Sequence, residues 1–288
     1  PDMIAYLKDE FGSKLCERDH YAANLKGGRY YPYPISEEFI EELPKDVSAR
    51  IYQELSERED SNKKFSATTF AEYVEAMAGP TLARLFFTDY PRKLWGVPTE
   101  ELDANWAPKR VSILKNKRAF YGDQYSAVGV NASGSVIREL YRKIIELGGE
   151  IHLDAEVAAI EVLENRIASF KVNGVQVELG ARDRVVNTFS AVINASLFHF
   201  DTELKYRGVF LAYAKLSRSQ VLPDGVDFIY VDDHEILFNR VSDQNKFIGS
   251  PKAGETVVCC EITYSADDEI DRADQNDIVT KTVDQLIS

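Results

Sequence analysis

Cysteine, histidine and methionine are scarce in this chain: three, four and two among 288 residues. Cys16, Cys259 and Cys260 are odd in number and lack framework spacing, which excludes a disulfide scaffold and reads as reduced, cytoplasmic thiols. His20, His152, His199 and His234 show no metal-ligand spacing, so no metal centre is expected. No run of about 18 apolar residues is present to span a membrane, nor the n-region, h-region and cleavage site of a secretory signal. Basic residues are outnumbered 34 to 47, for a net charge of −13, which argues against nucleic acid as a partner. A Gly-rich dinucleotide-binding fingerprint is also missing. Gly27-Gly28 and Gly148-Gly149 do not replace it, because neither lies between a strand and a helix start.

What is present is ordinary globular material, with 44% apolar and 28% charged residues. The chain begins Pro1-Asp2-Met3 and ends in a helical pattern from Gln275, so both ends read as cut from something longer. Gly27-Gly28 marks a turn, and the prolines in Arg29–Pro34 force an extended segment. Ser36 caps a helix toward Leu43, and 45–57 forms another, followed by a polar loop over 58–64. Phe70, Tyr73, Val74, Met77 and Ala78 predict a helix over 66–87, kinked at Gly79-Pro80. Pro98, with Glu100, Glu101 and Asp103 behind it, predicts a further helix start. A helix over 136–147 then leads into strands at 150–153, 157–163, 166–172, 175–179 and 184–187, with a hairpin at Asn173-Gly174 and a short helix over 190–198. Strands at 208–217, 227–230, 236–241 and 256–264 complete the pattern. Within the last, Cys259 and Cys260 face opposite sides as small buried hydrophobes. The fold class is α+β: a helical block and a mostly antiparallel sheet, around a partial α/β layer whose other half would precede residue 1.

The segment Tyr90–Arg110 concentrates the chemistry. Tyr90, Trp95 and Trp106 offer flat faces for a base, and Arg92, Lys93, Lys109 and Arg110 offer donors to phosphate. Composition alone favours both tryptophans as core residues and the cations as solvated, since large aromatics are usually mostly buried.

Tyr90, Lys93, Trp95, Gly96 and the later Arg110 resemble the Tyr-x-x-Lys-x-Trp-Gly segment and downstream Arg of the UDP-galactopyranose mutases. Gly28–Ile35, Phe120–Tyr125, Tyr206-Arg207-Gly208, Phe228–Tyr230 and Phe238–Ser242 follow the same family's order, so the resemblance spans about 20–265. It implies Arg110 and Arg240 as the catalytic, diphosphate-binding pair. Tyr90, Trp95, Tyr125 and Tyr230 would bind substrate, and Val157 and Thr188 would bind the adenine end of the cofactor. The implied cofactor is FAD, reduced for a mutase, and the implied substrate is a nucleotide-sugar whose pyranose and furanose forms are interconverted. Such enzymes serve cell-surface polysaccharide biosynthesis, and a homodimer stays open. Lacking the Gly-rich fingerprint, this stretch alone is expected to hold flavin weakly or not at all. It implies three parts: 1–115, helical and nucleotide-binding; 116–200, a partial FAD-binding layer; and 201–288, the sheet of the substrate domain. Where many bacterial mutases carry a second Arg one turn on, this chain has Leu114. That departure keeps an FAD-dependent oxidoreductase of the amine-oxidase or protoporphyrinogen-oxidase-like group open, and a non-catalytic binding module is the third reading.

Overall fold

The computed structural model describes residues 2–60, 66–108, 110–111, 113–116, 119–120 and 124–287. They fall into two compact units, 1–137 with 207–288, and 138–206.

In the larger unit, Asp2 caps α1 (Met3–Phe11) by accepting from the Ile4 and Ala5 amides. β1 (Leu15–Glu17) precedes β2 (Ala22–Lys26) and β3 (Arg29–Tyr33). The last two form a hairpin because Gly27 and Gly28 both adopt positive φ, +55° and +73°. Ser36 caps α2 (Glu37–Glu42), and α3 (Lys45–Asp60) takes in residues 58–60 of the expected loop, whose residues 61–64 lie outside the described residues. A Thr69/Glu72 capping box starts α4 (Phe70–Phe86).

The expected kink in α4 is at Gly79, with φ +80° and ψ 158°. It frees the next turn's donors, and Glu54 of α3 takes them: Oε2 accepts from the Thr81 amide (2.9 Å) and Oε1 from its hydroxyl (2.6 Å). A Cβ on Gly79 would lie 2.7 Å from Glu54 Oε2, so glycine is required by conformation and by space. Ile40, Ile51, Phe70, Val74, Ala78 and Leu82 close the helical core.

After α4 come α5 (Asp89–Trp95), β4 (Ala127–Gly129) and α6 (Gly134–Glu146). The smaller unit holds β5 (Val157–Leu163), β6 (Arg166–Val172), β7 (Val175–Glu178) and α7 (Ala191–Leu197). The strands form an antiparallel meander turning at Asn173 and Gly174, both at positive φ. Residues 150–153 and 184–187 are not strands. A strand exists only where a neighbour takes its ladder hydrogen bonds, and among the described residues none pairs with these. Leu147, Leu153, Val186 and Phe200 are largely exposed.

β8 (Gly208–Leu216), β9 (Phe228–Val231), β10 (Arg240–Asp243) and β11 (Thr256–Tyr264) return to the larger unit, followed by α8 (Glu269–Arg272) and α9 (Gln275–Ile287). The six-stranded sheet has the order β3-β2-β9-β10-β11-β8 and is antiparallel except for β2 beside β9. The expected strand 236–241 is instead β10, which starts at Arg240. Residues before it spend their hydrogen bonds elsewhere: the Leu237 amide donates to Gln285 Oε1 of α9, and the Phe238 carbonyl accepts from Lys93.

Register sorts the two sheet faces. Ala23, Ile229, Val241, Cys260 and Ala212 lie side by side on one, where Ile278 and Leu286 of α9 join the core. Cys260 belongs to this core and Cys259 is also buried, both free; burial pushes the Cys260 thiol up to about 12. Because side chains alternate, the other face presents the row Asn24, Tyr230, Arg240 and Glu261.

Candidate functional site

The polar row forms one wall of a cavity of about 870 Å³. The facing wall comes from the segment after α4. Tyr90 through Trp95 lie in helix α5, which Asp89 opens and Gly96 closes in the left-handed region at φ +71°. The helix expected from Pro98 does not form. Its backbone serves the start of α4 instead: Thr99 and Leu102 carbonyls accept from the Ala71 and Phe70 amides, and the Ala104 amide donates to Thr68. Asp103 then caps a short 3-10 turn, Ala104–Trp106.

Aromatic contacts line the space between the walls. Tyr90 packs on Tyr230 at 4.6 Å between ring centroids, and Tyr33 meets Tyr230 edge-on at 5.6 Å. Trp95 and Trp106 meet edge-to-face at 5.7 Å, with Phe70 beneath Trp106 at 4.9 Å. Trp95 stays 37% exposed, so a face remains open to a ligand.

Two arginines reach this space. The Arg110 guanidinium lies 4.5 Å over the Trp106 ring and donates to the Trp106 carbonyl, while the Arg110 carbonyl accepts from the Tyr33 hydroxyl (2.9 Å). Arg240 pairs with Glu261, its neighbour in register, and sits 5.8 Å from the Phe228 ring. Burial works against the Arg240 charge, but Glu261 more than offsets it and the guanidinium is held protonated above its ordinary range. Its Nε is buried without a partner among the described residues, as is Nδ2 of Asn24. Burial raises both tyrosine hydroxyls, that of Tyr33 to about 12, with Arg110 pulling Tyr33 and Arg240 pulling Tyr90 the other way. At neutral pH Arg240 is therefore cationic, and the Tyr33 and Tyr90 phenols are neutral.

Of the residues singled out in the sequence, Tyr90, Trp95, Arg110, Tyr230 and Arg240 converge on this cavity. Tyr125 does not line it; its ring lies 4.7 Å from the Lys8 ammonium. Val157 and Thr188 belong to the smaller unit, where Val157 pairs with Val172 in the meander and Thr188 is exposed. Lys109 and Tyr121–Asp123 lie outside the described residues. Sequence reading missed Asn24, Tyr33, Gln124 and Glu261. A lone acid inside Val257–Tyr264, an otherwise apolar strand, is the signal that could have exposed Glu261.

The family profile of UDP-galactopyranose mutase (GLF) matches residues 85–281, more than half of the chain. The chain belongs to the UDP-galactopyranose mutase family. A crystal structure of reduced UDP-galactopyranose mutase superposes with a TM-score of 0.74 at 14% identity, over 95% of this chain and 63% of that one. This chain thus spans less than two thirds of that mutase. The Exiguobacterium sp. 255-15 protein assigned as a protoporphyrinogen oxidase gives 0.72 at 13% identity, over 99% and 68%. PF1083 from Pyrococcus furiosus gives 0.60 at 15%, over 99% and 68%. Identities this low speak to the fold, which is the α+β flavoprotein type expected. No curated protein matches the sequence. In this family member, no helix among the described residues is long and apolar enough to cross a membrane, and no group of three or more His, Cys, Asp or Glu among them could hold a metal ion.

Proposed function

We propose that this chain supplies the nucleotide-sugar site of a flavoenzyme that interconverts the pyranose and furanose forms of a UDP-sugar. One observation carries the reading: Arg110 and Arg240 stand in the same cavity as the aromatic group Tyr90, Trp95, Trp106 and Tyr230. A base stacked on an aromatic face is worth about 1–3 kcal/mol, and charge-assisted hydrogen bonds from arginine suit a diphosphate. In this scheme Tyr90 and Trp95 hold the nucleotide, and the two arginines take up charge as the nucleoside diphosphate departs.

The residues present do not by themselves make a flavin site. The pyrophosphate of a dinucleotide needs a Gly-rich strand-to-helix turn, which this sequence lacks. Residues 186–190 around Thr188 are exposed. The roles of Val157 and Thr188 at a cofactor, and of residues 116–200 as part of a flavin layer, belong to this proposal. A flavin supplies the covalent and redox chemistry; this chain binds and orients the substrate.

The test is turnover and UDP binding by the complete protein. Arg110→Ala and Arg240→Ala should each lose most turnover, and unchanged turnover in both would overturn the assignment. A second reading draws on the apolar part of the lining, Phe70, Phe86, Phe87 and Leu94, which would suit an organic substrate of an FAD-dependent oxidoreductase. Flavin reduction by such a substrate, with no response to UDP, would favour it.

A further inference from the structure

Helix α5 carries Tyr90 and Trp95, and several of its fastenings to the sheet come from residues outside the cavity wall, among them the Thr263 hydroxyl of β11, which donates to the Lys93 carbonyl (3.3 Å). At its N-terminal end, Lys26 of β2 binds Asp89 (2.9 Å) and Asp232 (2.7 Å). Past its C-terminal end, Arg207 lies against Gly96, where a Cβ would stand 2.0 Å from Nη1, and it donates to Ser265 Oγ (2.7 Å). In the middle is Lys93. Its ammonium donates to the carbonyls of Asp233 (2.7 Å), Phe238 (2.7 Å) and Val231 (3.2 Å). Three donors are all that an ammonium has, so none remains for a phosphate. These carbonyls end β9 and lead into β10, the two strands whose register sets Tyr230 beside Arg240.

We infer that Lys93 is a positioning residue of the nucleotide pocket: by gathering three carbonyls between β9 and β10 it holds Tyr90 and Trp95 at working distance from the Tyr230–Arg240–Glu261 row. The inference deepens the reading of this cavity as a nucleotide site and rests on it. It also assigns a purpose to the lysine of the Tyr-x-x-Lys-x-Trp-Gly segment other than contact with phosphate. The Tyr90–Tyr230 contact is the distance at stake. A methionine of similar length would remove the one donor that these three carbonyls share, leaving the middle of α5 held only by the Thr263 hydroxyl and its ends by Lys26 and Arg207. Arginine keeps the charge, but its planar fork cannot set one nitrogen against three converging oxygens.

The experiment uses the complete protein with 5-fluorotryptophan incorporated. The Trp95 fluorine resonance is assigned by its loss in Trp95→Phe, and UDP affinity is measured by titration. Lys93→Met and Lys93→Arg should each shift the Trp95 resonance and weaken UDP binding by about fivefold or more. If Lys93→Met does not fold, Lys93→Arg decides. Folded variants with the wild-type Trp95 resonance and wild-type UDP affinity would overturn the inference. If the wild type itself binds no UDP, the nucleotide reading falls, and the Trp95 resonance still reports whether Lys93 positions the helix.

Discussion

Replacing Arg240 by alanine should do two separable things. In the site, it removes charge-assisted hydrogen bonds to a ligand phosphate, each worth about 1.5–3 kcal/mol, so UDP affinity should fall by about 10- to 150-fold. In the fold, it strands Glu261, whose side chain is only 21% exposed. Breaking a fully buried pair costs about 3–5 kcal/mol. Because 38% of the Arg240 side chain reaches solvent, screening brings that to about 1–2 kcal/mol. For 288 residues, Tm should drop by about 2–3 °C. The double variant Arg240→Ala/Glu261→Gln no longer strands a carboxylate, so most of the lost Tm should return while the UDP affinity stays low. Calorimetric titration of UDP and thermal melts of wild type, both single variants and the double variant complete the cycle. Arg240→Ala with wild-type UDP affinity would refute the assigned role of Arg240. A double variant no more stable than Arg240→Ala would refute the account of the pair.

Gly79→Ala should destabilise by about 2–4 kcal/mol, since Gly79 lies in a region open almost only to glycine and the new Cβ would displace the Glu54 cap of Thr81; denaturant unfolding measures it, and a loss under 1 kcal/mol would contradict the geometry. Tyr33 and Tyr90 both have hydroxyl pKa values raised in the fold, Tyr33 to about 12. Their contribution is therefore complete below the ordinary tyrosine value and lost as pH rises from about 10 through the folded values. Stability should fall over that range, and Tyr33→Phe/Tyr90→Phe should flatten the fall. An equally steep alkaline loss in that variant would show that other groups cause it.

Much of the fold was legible from local signals. The Gly27-Gly28 turn, the Asn173-Gly174 hairpin, the Ser36 cap and the Gly79-Pro80 kink depend on backbone conformations that those residues favour, and each appears where expected. Errors arose where the hydrogen-bonding partner was distant in sequence. Pro98 has a helix-starting neighbourhood, yet residues 99–104 are bound to the beginning of α4. Residues 236–239 look like strand, yet Gln285 and Lys93 take their backbone groups. Residues 150–153 and 184–187 have strand composition and no strand pairing among the described residues.

The same division holds for the site. By itself, the sequence determined its chemical kit, because residue type alone decides that Tyr90, Trp95, Arg110, Tyr230 and Arg240 can stack or carry charge. It also determined that no Gly-rich cradle is present. Only the tertiary structure decided which of these residues meet. Strand register sets Asn24, Tyr230, Arg240 and Glu261 side by side, and a slip of one residue would turn each to the opposite face. Lys93, which reads in sequence as one more phosphate donor, has its ammonium committed to three carbonyls 138 to 145 residues away. Distances of that kind are set by packing, and no local pattern in the chain records them.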